Sequence, residues 1–103
     1  MVFDEVDAGI GGRVADAVGQ KLRQTAAGRQ VLCVTHLAPI AAFAEHHLVV
    51  DKRVIKGATR TTVTALDPAA RVDEVARMLG GDQITDTSRR HARELLKSAR
   101  VAD

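Results

Sequence analysis

Met1-Val2-Phe3-Asp4-Glu5-Val6-Asp7-Ala8-Gly9-Ile10-Gly11-Gly12 opens the chain and sets how the rest is read. Three apolar residues run into the pair Asp4-Glu5. Asp7 follows, and then a run with three glycines. A short apolar run that ends in acids predicts a buried strand delivering carboxylates to its C-terminal edge. In open α/β sheets, ligands bind at that edge. Gly9, Gly11 and Gly12 permit the backbone to approach a ligand or partner closely. The same residues also fit a solvated strand end with no chemistry, so the motif needs support from elsewhere in the chain.

That support comes from the next two segments. Over residues 12–27, Val14, Val18 and Leu22 recur every fourth position, with Ala15 and Ala26 beside them. This is the spacing of an amphipathic helix. Asp16, Gln20, Lys21 and Arg23 fall on its polar face, and Gly28 is suited to stop it. Residues 30–35 are β-branched and apolar, too short a run for a helix, and lead into Thr35-His36. A strand, a helix of this length and a second strand predict a parallel crossover. Parallel neighbours would bring Glu5 and His36 to one sheet edge. Pro39 then suits the first turn of a short helix reaching Ala44.

Farther on, residues 47–55 and 61–66 read as two strands joined by the hairpin-like link Lys56-Gly57-Ala58-Thr59. Thr61, Thr62, Val63 and Thr64 favour a half-exposed pleated surface. Asp67-Pro68 predicts a helix start, with Asp67 as N-cap and proline at the first position. Val72, Val75, Ala76 and Leu79 form one face of that helix, and Gly80-Gly81 ends it. Thr85 can cap a last helix with Ser88, Ala92, Leu95, Leu96 and Ala99 facing inward. Arg89, Arg90, Arg93 and Lys97 cover most of its remaining surface, which reads as a solvated face rather than a DNA-binding one. No internal repeat, low-complexity tract or linker interrupts the chain.

Composition narrows the function classes. The 103 residues suffice for one small domain, and an apolar content of 46% allows a modest core. Phe3 and Phe43 are the only aromatic residues, which argues against a base-stacking platform for single-stranded nucleic acid. Net charge is +2, from 15 basic and 13 acidic residues. So small an excess supports no claim of nucleic-acid binding by the chain as a whole, despite a pI near 9.1. Cys33 is the single cysteine, so no disulfide can form within the chain, which fits a reducing cytoplasm. It lies in the apolar run Val31-Leu32-Cys33-Val34 and is expected to be an inert core residue. No apolar run approaches the roughly 18 residues of a membrane helix. No basic segment followed by an apolar one opens the chain, so no signal peptide is expected.

Asp4-Glu5 at a strand end resembles a Walker B motif. There the aspartate holds Mg²⁺ through water, and the adjacent glutamate orients or deprotonates the attacking water. Several stretches together resemble a known family: the RecN ATPases of bacterial DNA repair, relatives of the structural-maintenance-of-chromosomes proteins. They are Phe3-Asp4-Glu5-Val6-Asp7 with Gly9-Ile10-Gly11-Gly12, Val34-Thr35-His36-Leu37, and Ile40-Ala41-Ala42-Phe43-Ala44. Arg77-Met78-Leu79-Gly80-Gly81 and His91-Ala92-Arg93-Glu94-Leu95-Leu96 complete the set. The likeness covers essentially the whole chain and is to the C-terminal part of the family's head domain. Gly-Ile-Gly-Gly is its most specific element. It replaces the Leu-Asp ending of the corresponding loop in most ATP-binding-cassette proteins.

The resemblance implies the C-terminal half of a P-loop NTPase head: parallel strands with a crossover helix, then a β-hairpin and two helices. It implies that Asp4 is the Walker B acid at the Mg²⁺ and Glu5 the catalytic base. Asp7, Gly9, Gly11 and Gly12 belong to the loop that meets a partner head across the nucleotide. His36 is the switch histidine that senses the γ-phosphate. The implied cofactors are ATP and Mg²⁺. The implied partners are the N-terminal half of the head, a second head in an ATP-dependent dimer, and DNA. The implied place is the bacterial cytoplasm at the nucleoid, and the implied process is double-strand-break repair by recombination. The sequence departs from a complete head in three ways. It contains no glycine-rich phosphate loop ending in Gly-Lys-Ser/Thr, no Ser-Gly-Gly signature segment, and no long heptad pattern. Arg89 also stands where the family often carries an aliphatic residue. The chain is therefore expected to be a head fragment, inactive by itself. A non-catalytic interaction module, a pseudogene remnant and a head fragment of another chromosome-maintenance ATPase are the alternatives.

Overall fold

The computed structural model describes residues 2–4, 12–80 and 83–101. Its elements run β1 (Val2–Asp4), α1 (Gly12–Thr25), β2 (Leu32–Val34), α2 (Ala38–Ala41), β3 (Leu48–Ile55), β4 (Ala58–Ala65), α3 (Pro68–Gly80) and α4 (Asp86–Val101). The fold is mixed α/β, with two small sheets and four helices among the described residues. β1 and β2 pair in parallel, Val2 with Leu32, Phe3 with Cys33 and Asp4 with Val34. The crossover expected from the first 35 residues is thus present, with α1 as its helix.

β3 and β4 form an antiparallel pair running from Leu48↔Ala65 to Ile55↔Ala58. The second strand begins at Ala58, three residues before the expected start, and the link shrinks to Lys56-Gly57. Both link residues have positive φ, 50° and 78°. That is the backbone of a tight two-residue hairpin turn whose twist matches its strands. Ala58 and Thr59, expected in the link, therefore join the ladder.

The helices begin where the chain supplies caps. Asp67 Oδ1 accepts a hydrogen bond from the Ala70 amide at 2.8 Å, with Pro68 opening α3. At α4 the capping is reciprocal. The Ser88 amide donates to Thr85 Oγ1 at 3.1 Å, and the Thr85 amide donates to Ser88 Oγ at 2.8 Å. Ser88 thus takes the place that Glu or Gln holds in a capping box.

The core lies among the helices and is built from small side chains. Ala38, Val75, Ala76 and Ala92 are buried together, with Val72, Leu79, Leu95 and Leu96 packed around them. Ala42, Phe43 and Ala99 form a second group. The short helix α2 stands at the centre, with Ala38, Ile40 and Ala41 all buried. α1 can approach it because residue 19 is glycine. A Cβ there would stand 2.3 Å from Phe43 Cδ2. Arg89 of α4 bridges to α3 through Asp73 at 2.9 Å, so an ion pair stands where the family often carries an aliphatic residue.

The small sheets are less covered. Val2, Leu32 and Val34 are each more than half exposed, and Cys33 is half-buried. The expectation of a buried strand and of Cys33 as a core residue is corrected here. Two strands present little area to pack, and among the described residues nothing covers their outer face.

Candidate functional site

β1 ends on Asp4 and β2 on Val34, and the parallel register sets these two residues side by side. The two strands therefore end at one sheet edge. Beyond β2, Thr35 Oγ1 accepts a hydrogen bond from the Leu37 amide at 3.0 Å. This hydroxyl-closed turn bends the chain at His36, which is exposed. The Leu37 carbonyl then accepts from the amides of Ile40 and Ala41, both at 3.1 Å, and α2 begins. His36 is thus held between a strand end and an anchored helix. A histidine so placed can donate a hydrogen bond to an anion at the edge.

Of the other expected site residues, Gly12 is the first residue of α1. Glu5, Asp7, Gly9 and Gly11 lie outside the described residues. Among the described residues, no three His, Cys, Asp or Glu side chains gather as a metal cluster. A carboxylate that holds Mg²⁺ through water needs no such cluster.

Behind the edge, two arginines secure α2. Arg23 Nε and Nη2 donate to the Phe43 carbonyl at 3.2 and 3.0 Å, and Nη1 donates to the carbonyl of Ala99. Its guanidinium also stacks 5.1 Å from the Phe43 ring centroid. Arg71 Nη2 donates to the carbonyls of Ala41 and Ala44 at 3.1 and 2.5 Å. Helix C-termini leave their last carbonyls without intrahelical partners, and cations are favoured there. α1 and α3 supply those cations to α2. From spacing alone Arg23 falls on a polar helix face and Arg71 carries no assigned role. A signal was present, because Arg71 stands one helical turn before the buried Val75.

Burial, helped by the neighbouring Arg71 and opposed by Glu74, pushes the His47 imidazole below the usual histidine range. Its Nδ1 is buried and has no hydrogen-bond partner among the described residues. Burial first, then Arg100 and Arg23, lowers the pKa of Arg71. Guanidinium groups from three helices therefore lie near one another beside the C-terminal end of α2.

No family model matches the chain. Comparison with curated proteins finds clear relatives. The chain is 46% identical over 99 residues to the DNA repair protein RecN of Bacillus subtilis, covering 96% of the chain and 17% of that protein. It is 53% identical over 96 residues to the DNA repair protein RecN of Deinococcus radiodurans, covering 93% and 17%. It is 46% identical over 100 residues to that of Streptomyces coelicolor, covering 97% and 18%. The chain thus spans about a sixth of the length of the relatives it matches.

Proposed function

Because the chain belongs to the RecN family of DNA repair proteins, as a C-terminal segment of RecN type, we propose that it forms the C-terminal part of an ATPase head. In this reading the chain works in double-strand-break repair and recombination. It hydrolyses ATP only together with a segment that carries the phosphate loop. The observation that carries the proposal is the pairing of Asp4 with Val34, which ends both motif strands at one edge. What supports the reading is that Asp4 ends β1 and the segment bearing His36 leaves β2 beside it.

Bound MgATP would supply the electrophilic phosphoryl group, and the chain's own residues would do the rest. Asp4 would accept hydrogen bonds from the water shell of the metal. Glu5 would orient the attacking water and take its proton. His36 would donate a hydrogen bond to a phosphate oxygen. Asp7, Gly9, Gly11 and Gly12 would form the loop that meets a second head.

The test grafts this chain in place of the matching segment of the Bacillus subtilis relative and follows ATP binding and hydrolysis separately. Glu5→Gln keeps the shape of the acid but cannot accept a proton. It should cut hydrolysis by about 10²–10⁴ while sparing ATP binding. Asp4→Asn should weaken Mg²⁺-dependent ATP binding itself. His36→Ala should lower turnover and weaken ATP binding more than ADP binding. Reversed phenotypes for the two acids would reverse their roles. Unchanged turnover in both would make the pair a solvated strand end.

A further inference from the structure

The surface of α4 divides its cations into two groups. Arg89 is neutralised, by Asp73 at 2.9 Å and Asp86 at 3.6 Å. Arg90, Arg93, Lys97 and Arg100 are exposed and make no ion pair among the described residues. Their spacing of three, four and three residues puts them on one stripe of the helix. That stripe lies off the face that buries Ala92 and Ala99. Arg90 and Arg100 are about 15 Å apart along the axis at 1.5 Å per residue. α4 holds five cations against two acids, Asp86 and Glu94, an excess larger than the +2 of the entire chain. Charge is thus segregated onto one helix, a feature that whole-chain composition conceals.

We propose that the Arg90–Arg93–Lys97–Arg100 stripe of α4 is a docking surface for the phosphate backbone of double-stranded DNA. Three of the four cations are arginines, whose planar forks match phosphate oxygens. The stripe spans a length over which one DNA strand presents roughly four phosphates along its axis. It carries no aromatic side chain on which bases could stack, which favours duplex over single strands. The relatives' own name, DNA repair protein, agrees with this partner chemistry. None of the four residues belongs to the proposed nucleotide site, so the inference stands or falls apart from the hydrolytic reading.

The experiment measures binding of the full chain, without nucleotide, to a short duplex of arbitrary sequence over a range of salt. The matched variants are R90Q/R93Q/K97Q on α4 and K52Q/K56Q/R60Q on the hairpin, which remove equal charge. Four phosphate contacts predict a slope of log affinity against log salt near −3.6, or about a hundredfold loss over a fourfold rise in salt. The α4 triple should flatten that slope by about 2.7. The hairpin triple should leave it unchanged, and R90K/R93K should preserve it. Circular dichroism checks that helix content is equal in all forms. Absence of salt-dependent binding by the parent chain would overturn the proposal. So would equal losses in the two triples, which would signal net charge alone. Equal α4-dependent binding to phosphatidylserine vesicles would reassign the stripe to membranes.

Discussion

At the scale of single residues, the molecule turns on positions whose role is set by what they touch. Gly19 is the clearest. An added Cβ would stand 2.3, 2.8 and 3.0 Å from three atoms of the Phe43 ring. Phe43 cannot retreat easily, because its own carbonyl is held by Arg23 and its ring lies under that guanidinium. Gly19→Ala should therefore destabilise the fold by about 1–3 kcal/mol, although alanine is the better helix former. Urea denaturation checks this, and an unchanged or raised midpoint would contradict the packing of α1 on α2. Periodicity does not reveal Gly19, since a glycine within a helical pattern reads as neutral until its neighbour across the interface is known.

At the scale of elements, the order strand, helix, strand, short helix, hairpin and two helices was legible from apolar spacing and turn residues. Boundaries shifted where local chemistry is ambiguous. Ala58 and Thr59 read as a link because Lys-Gly is a weaker turn signal than Asn-Gly, yet the positive φ at both Lys56 and Gly57 closes the turn in two residues. The start of α4 fell where Thr85 placed it. Its reciprocal bonds with Ser88 satisfy two backbone groups at once. Thr85→Ala should cost about 1 kcal/mol by removing one of them, while Thr85→Ser should cost little. Thermal unfolding of both variants checks the cap, and equal losses would show that packing rather than capping sets that end of α4.

At the scale of the whole molecule, the buried residues belong almost entirely to the helices, while the sheets expose aliphatic side chains. Leu48, Val50, Val54, Ile55 and Val63 are all about half exposed or more on the hairpin. A glycine-rich phosphate loop supplies the backbone amides and lysine that grip a triphosphate, and no such motif occurs in the sequence. The purified chain alone should therefore release no phosphate from MgATP. Mg²⁺-dependent release that Glu5→Gln abolishes would refute the division of the site between segments.

Some of this protein was determined by its sequence alone. Apolar periodicity, proline and glycine positions and capping residues act over a few neighbours, so element order and the parallel pairing of the first two strands could be read directly. The motif set around Asp4, Glu5 and His36 pointed to the RecN family for the same reason, since it is local and ordered. Other features depend on residues far apart in the chain. The seating of Arg23 and Arg71 on the carbonyls of α2 exists only once three helices meet, because those carbonyls are open only to groups brought there by packing. Likewise, Arg89 and Arg90 are adjacent and chemically alike. Asp73 on α3 and Asp86 one turn earlier pair with Arg89, while Arg90 stays on the open basic stripe.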